Sequence, residues 1–451
     1  MKDTDTVPLI DQISLGVLTS SVPRDDIEVV LGEHGVRAKR RGGSLPPHVM
    51  MYYVIAMALH ADLDYEGVWR KLTEPLRCWG TWDPSWDIPT SGGITQARQR
   101  LGFETVKALF ERIAVPVSEL LTTNVFCAGK RLVSMDGMVF DLFDSTANRE
   151  EFGTPTGGAF PQARVVTLTE SASHVSLGAQ ISGVSGKGSG DRSAAAELVG
   201  LLESDMLLIC DAGFYSFDLW SKAYETGAEL LWRVGDIMEL PVLESCGDGS
   251  YMTLLFNPTT PKPQRAQLIH LAGGGDDLVG EEGRVQWARA IEYEVDDRGF
   301  GELICLLTTC FEPKHTPAGM LAHVYHQRWQ HEAANREIKT QMRGAGQILR
   351  SRSPEMVRQE IYGYRLAHYA VCAFLCQAAT ETSIDPGRIK FTNSIRIIAD
   401  RLADPDAFSP DRQHRIRAEI IARVTAKCNR NPVRHRSYPR VVKRTRPNLI
   451  R

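Results

Sequence analysis

From Lys130 onward, strand-type and helix-type segments follow one another in an order that few folds accommodate. Arg131-Leu-Val-Ser-Met-Asp136 reads as a strand and is followed, after Gly137, by Met138-Val-Phe-Asp-Leu-Phe143. Arg164-Val-Val-Thr-Leu-Thr169 and His174-Val-Ser-Leu-Gly-Ala-Gln-Ile181 are alternating or apolar strands. The pattern then predicts a helix near Ser193–Leu202, a buried strand Met206-Leu-Leu-Ile-Cys-Asp211, a helix near Ser216–Glu225 and a strand Glu229-Leu-Leu-Trp-Arg-Val234. Two of these strands end on carboxylates, Asp136 and Asp211. An aspartate at a strand end is commonly a turn former, so the pair carries chemistry only if the fold joins the two ends.

Three strands, helix, strand, helix, strand and a later helix is the element order of a ribonuclease-H-like α/β fold. That fold lays the ends of its first and fourth strands side by side, which would bring Asp136 and Asp211 together. Residues 236–305 exceed what the core needs. They are turn-rich, with Gly247-Asp-Gly249, Gly273-Gly-Gly-Asp-Asp277 and Asp296-Asp-Arg-Gly299 between β-type runs such as Tyr251–Phe256 and Ala266–Leu271, and read as an inserted β-rich unit.

The later helix carries the most concentrated chemistry. Thr316-Pro317 makes a cap followed by proline, no Gly or Pro interrupts residues 321–343, and Gly344 stands where a helix stops. On an ideal helix Tyr325, Arg328, Glu332 and Lys339 fall within an arc of roughly 60°. One stripe then bears a phenol, a guanidinium, a carboxylate and an ammonium. Such spacings also suit solvated ion pairs, so the stripe needs a context.

The context is a resemblance. Tyr-x2-Arg-x3-Glu-x6-Lys matches, residue for residue, the signature of DDE transposases of the insertion-sequence-four family. Asp136-Gly-Met-Val-Phe-Asp-Leu-Phe-Asp-Ser-Thr-Ala-Asn148 resembles that family's first-aspartate segment, and Asp211-Ala-Gly-Phe-Tyr-Ser216 its second. The sequence departs from the pattern at Met138, where the family usually has threonine, and at Ala212, where it usually has arginine. The resemblance implies that Asp136, Asp211 and Glu332 are catalytic metal ligands and that Tyr325, Arg328 and Lys339 hold DNA at the transposon end. It also implies an insertion between the fifth strand and the glutamate helix.

Three converging carboxylates repel one another and are stable ionised only around cations. An all-oxygen set suits Mg²⁺, with Mn²⁺ as substitute, and two ions would serve an in-line displacement at a phosphodiester. The expected activity is therefore metal-dependent strand cleavage and strand transfer on double-stranded DNA, at inverted-repeat ends and a target, by a homodimer or larger complex. A metal-dependent nuclease or resolvase on the same fold, or a domesticated inactive DNA-binding protein, are the alternatives.

Residues 1–125 read as several short helices, expected to form a separate DNA-binding domain, and His48–Thr73 resembles the family's N-terminal domain. Arg37-Ala-Lys39-Arg40-Arg41 and the helix Thr90–Arg100, with Thr95, Gln96, Arg98 and Arg100, suit phosphate and base-edge contacts. The catalytic core is expected over 126–235 and 306–395, with a C-terminal helix and basic tail over 396–451. Asn429–Arg451 carries eight Lys/Arg and no acid, a composition that binds phosphates through counterion release. The net charge of −3 confines any nucleic-acid surface to such local clusters. Ser185-Gly-Lys-Gly-Ser-Gly190 lacks phosphate-loop spacing and reads as a loop. Nine scattered cysteines without a Cys-x-x-Cys pair point to a reducing cytoplasm and away from structural zinc, with Cys372 and Cys376 read as packing. An acidic N-terminus and the absence of a long apolar run predict no leader and no membrane span.

Overall fold

The computed structural model describes residues 15–38, 45–77, 87–186, 188–235, 238–276, 278–297, 300–402, 410–432 and 440–441. Lys39, Arg40 and Arg41 of the basic cluster, and most of the Asn429–Arg451 tail, lie outside them.

Among the described residues five α-helices come first: α1 (Arg24–Glu33), α2 (Pro47–Leu59), α3 (Tyr65–Arg77), α4 (Ser91–Leu101) and α5 (Phe103–Ile113). Prolines open α1 and α2, and the Thr90 hydroxyl caps α4 by accepting from Gly93 N at 3.3 Å.

One mixed sheet follows. Its strands are β1 (Phe126–Cys127), β2 (Lys130–Asp141), β3 (Gln162–Glu170), β4 (Ser176–Gly183), β5 (Met206–Cys210), β6 (Glu229–Val234), β7 (Glu244–Ser245), β8 (Tyr251–Phe256), β9 (Val285–Asp297) and β10 (Phe300–Thr308). Three helices, α6 (Thr146–Phe152), α7 (Asp191–Leu198) and α8 (Phe217–Glu225), connect the first six strands. The spatial order is β4-β3-β2-β5-β6-β10-β9-β8-β7. The β4-β3-β2 stretch is antiparallel, and β2-β5 and β5-β6 are parallel, which is the ribonuclease-H-like arrangement.

Asp136 lies within β2 rather than at its end, because β2 continues to Asp141 on its pairing with β3. Its neighbour on the other side, β5, stops at Cys210. Ser134 faces Ile209 in parallel register, so two residues further on Asp136 comes level with Asp211. The carboxylates meet at the point where β5 leaves the sheet.

The inserted segment continues the core sheet instead of standing apart from it, since β10 pairs antiparallel with β6 and β9 with β8. The strand boundary passes the expected limit at 305, as β10 runs to Thr308. Ala266–Leu271, expected as a strand, lies inside helix α9 (Lys262–Gly274). Pro261 and Pro263 start that helix and Gly275, at φ 84°, ends it, so local stop signals outweigh the apolar run. Trp287 packs, half-buried, against the small core that α9 forms with β8 and β9.

The signature segment is continuous but irregular: α10 (Ala318–Tyr325), a 3₁₀ turn His326–Arg328, α11 (Trp329–Arg336) and a π-helical turn Glu337–Met342. Gly344, at φ 94°, ends it. Thr316 does not cap it, because Pro317 takes the N-cap position and no side chain makes a cap hydrogen bond there. The 28-residue α12 (Pro354–Glu381) follows, then α13 (Phe391–Leu402) and α14 (Pro410–Val424), while β11 (Arg440–Val441) pairs with β9. Among the described residues no helix is long and apolar enough to cross a membrane.

The N-terminal helices are not a separate body. In α2 every residue from His48 to Ala58 is buried, and a helix apolar all round must be covered on all sides. Its cover is α12, which joins α2 and α5 to the sheet in one core. Arg98, expected to face DNA, is fully buried there: Nε donates to Gln359 Oε1 at 2.9 Å and Nη1 to Tyr65 OH at 2.7 Å. Arg100 remains exposed. The backbones come close at Gly363, where a Cβ would stand 2.8 Å from Val54 O. Gly363→Ala is therefore expected to destabilise the protein by about 1–3 kcal/mol through overpacking, measured as a lower urea midpoint.

Candidate active site

Asp136 is half-buried, and its two oxygens are held separately. Gly137 N donates to Oδ1 at 2.9 Å and Asn335 Nδ2 to Oδ2 at 3.0 Å. Burial pushes its pKa up and the nearby Glu332 charge adds to that, against Gly137, Arg328 and Asn335. Asp211 opens a 3₁₀ turn, and its Oδ1 accepts from Ala212 N at 2.8 Å and from Tyr325 OH at 3.2 Å. The Trp232 indole donates to the Asp211 carbonyl at 3.2 Å, which fixes the backbone beneath the carboxylate.

Arg328 joins the carboxylates. Its Nη2 lies 2.9 Å from Glu332 Oε1 and its Nη1 3.9 Å from Asp211 Oδ2. The guanidinium side chain is 14% exposed, against 39% for Asp211 and 40% for Glu332, so it sits below the two carboxylates and leaves them facing solvent. Tyr325 is buried with its hydroxyl spent on Asp211. In this structure Tyr325 and Arg328, expected to hold DNA, lie against the acids, on either side of the start of the 3₁₀ turn His326–Arg328. Lys339 keeps a place at the rim of a groove that it shares with Asp136, Arg164, Glu332, Asn335 and Arg336.

Two residues of this site were not anticipated. His331 is buried, with Nδ1 2.8 Å from Ser134 Oγ and Nε2 3.0 Å from Thr167 Oγ1, and so pins α11 onto β2 and β3 next to Glu332. Burial and nearby positive groups push its pKa down to about 3, and it is neutral. Asn335 lies one turn beyond Glu332, a spacing that could have suggested a shared face, but its partner Asp136 is 199 residues away. Asn335→Ala frees one oxygen of Asp136 without touching the groove's cations. Cleavage is expected to fall about 10–100-fold with DNA affinity unchanged, as read from single-turnover nicking beside gel shift.

Asp141 and Asp144 are engaged elsewhere. Gln162 Nε2 donates to Asp141 at 2.7 Å, and Arg149 Nη2 to Asp144 at 2.9 Å. Of the two departures from the family pattern, Met138 is buried opposite Val165, and Ala212 contributes its backbone N–H to Asp211. Neither change removes a carboxylate. Asp136, Asp211 and Glu332 together offer oxygen donors only, on a partly solvated surface with a cation beneath, a donor set suited to a hard divalent ion.

Two family models match the chain. One, described as insertion element 4 transposase N-terminal, covers residues 12–111, and the other, transposase DDE domain, covers 128–370. The chain is 25% identical over 420 residues to the transposase InsG for insertion sequence element IS4 of Escherichia coli K12, covering 90% of this chain and 86% of that protein. It is 25% identical over 273 residues to the putative transposase InsZ of the same organism, covering 59% of this chain and 84% of that one. A solved piggyBac transposase synaptic complex with hairpin DNA aligns at a TM-score of 0.42 and 11% identity over 94% of this chain and 86% of that one. The DDE model spans both aspartates and the glutamate, and the N-terminal model spans α1 to α4 and most of α5. The chain belongs to the DDE transposases of the insertion element 4 family.

Proposed function

We propose that this transposase binds the inverted-repeat ends of an insertion sequence and cuts and joins DNA at Asp136, Asp211 and Glu332. The observation that carries the reading is Arg328, whose two terminal nitrogens reach Glu332 and Asp211 and hold the carboxylates as one unit. Mg²⁺, with Mn²⁺ as substitute and two ions in all, would be held by the three carboxylates and would supply Lewis-acid stabilisation of charge at a scissile phosphate.

The protein groups divide the remaining work. Gly137 N–H and Asn335 fix Asp136, while Ala212 N–H and Tyr325 fix Asp211. His331 seats Glu332 on the sheet. Lys339 and Arg336, at the groove rim, are placed to grip phosphates flanking the cut, Arg through a two-pronged contact and Lys as a point charge. Strand cleavage and strand transfer are then the same in-line displacement with water or a DNA 3′-hydroxyl as nucleophile. Both ends must be held at once, so the working form is a homodimer or larger complex.

The test uses the purified full chain with duplexes carrying the element's terminal inverted repeats. Divalent-ion-dependent cleavage at the repeat ends, followed by joining to a target plasmid, is the expected result. Cleavage without joining would favour a nuclease or resolvase, and binding without cleavage a domesticated DNA-binding protein.

A further inference from the structure

Away from the carboxylates, the π-helical turn, the β3–β4 turn and α12 bring four donor groups together in a dry setting. Glu337, His368 and Cys372 are buried, and their ligand atoms lie within 4.8 Å of one another. His368 Nε2 lies 3.0 Å from Glu337 Oε2 and 3.5 Å from Cys372 Sγ. His174 Nδ1 stands 3.0 and 3.1 Å from the two Glu337 oxygens. From this the geometry points to a second metal centre, a zinc-type site with Glu337, His368 and Cys372 as ligands and His174 orienting the carboxylate. It is independent of the catalytic carboxylates.

The distances fit. Zinc bonds of roughly 2.0–2.1 Å to nitrogen or oxygen and 2.3 Å to sulfur give tetrahedral edges of roughly 3.3 Å for N–O and 3.6 Å for N–S. Mixed N, S and O donors favour zinc over the hard ions expected at an all-oxygen site. His368 and Cys372 are one helical turn apart on α12, so the helix presents both to one point. Two local conformations are paid for at this place. Glu337 opens the π-helical turn, and His174 adopts φ 65°, a left-handed conformation that non-glycine residues rarely take. An entry path exists, because His174, Glu337 and Cys372 also line a cleft that reaches Glu332. Three protein ligands leave the fourth position to water. A metal here would lock the turn that carries Lys339 onto α12.

Spacing along the chain shows only the His368–Cys372 pair, since Glu337 and His174 come from other elements and Cys372 sits in an apolar run. That is why the scattered cysteines argued against structural zinc.

The experiment takes the full chain purified after growth with zinc, dialysed against chelator and measured by elemental analysis. It is then reconstituted with Co²⁺, whose thiolate charge-transfer band reports sulfur ligation. The expected result is one zinc per chain in the wild type and in the Asp136→Asn/Glu332→Gln double variant, lost in His368→Gln and Cys372→Ser. Cys376→Ser, whose thiol lies 3.7 Å from Ser118 Oγ, should keep it. If the ligand variants fail to fold, the wild-type cobalt spectrum decides by itself. Wild-type protein that takes up no zinc, or a cobalt complex without a thiolate band, overturns the proposal. So does full zinc retention by folded Cys372→Ser.

Discussion

Asp136→Asn, Asp211→Asn and Glu332→Gln are each expected to abolish strand cleavage while the protein stays folded and binds end DNA. The loss should exceed the roughly 10–100-fold expected for a residue that only orients a ligand. Each substitution preserves shape and removes charge. Asp211 and Glu332 are more than a third exposed, and an amide at 211 can still accept from the Tyr325 hydroxyl, 3.2 Å away. Asp136 is half-buried, yet its amide replacement can still accept from Gly137 N, 2.9 Å away. Removing one of three mutually repelling acids should leave folding unharmed or slightly improved. The measurements are single-turnover nicking with Mg²⁺, gel shift with end DNA and a thermal melt for all three variants. Persistent Mg²⁺-dependent cleavage in any one of them would place the active site elsewhere, although Asp141 and Asp144 are poor substitutes given their bonds to Gln162 and Arg149.

Arg328 should separate chemistry from binding. Arg328→Lys keeps a positive charge but loses the fork that reaches Glu332 at 2.9 Å and Asp211 at 3.9 Å. A single ammonium cannot span both carboxylates in that geometry. Their misplacement by about 1 Å is expected to cost on the order of 100-fold in cleavage rate. Affinity for end DNA should change little, because the side chain lies beneath the acids and not at the groove rim. Arg328→Ala should be worse still, leaving two neighbouring carboxylates without their cation. Lys339→Ala serves as the opposite control and should weaken end binding and lower the salt dependence of affinity. Wild-type rates in Arg328→Lys would show that the fork does not position the carboxylates.

Local patterns carried much of the fold. The strands of the core and the helices around them follow apolar periodicity, capping residues and glycine stops, all readable within about ten residues of chain. Glu229–Val234 is a strand and Ser216 caps a helix as the pattern implies. Where a local pattern failed, another local signal had prevailed, as at Ala266–Leu271 inside the proline-started α9. The carboxylates and the signature stripe were singled out by resemblance to a family pattern, since the spacing alone also suits solvated ion pairs.

The orientation of those side chains was not legible. An ideal helical wheel puts Tyr325 and Arg328 on the stripe of Glu332 but does not say what they meet, and in the fold they lie against Asp211 and Glu332 around the 3₁₀ turn His326–Arg328. Arg98 reads as a DNA contact in sequence and proves to be a buried strut to Gln359, 261 residues away. His331 and Asn335 serve the site through partners 197 and 199 residues away, and no spacing along the chain encodes such a pairing. The sequence by itself determined the order of the elements, which rests on short-range periodicity, and, through its resemblance to a family pattern, which acids to propose as metal ligands. Only the tertiary structure decided which charges are buried as struts, which acids share a cation and which groups are left facing a groove. Those outcomes depend on the packing of α12 and the sheet against segments distant in the chain, and on the cost of burying any polar group without a partner.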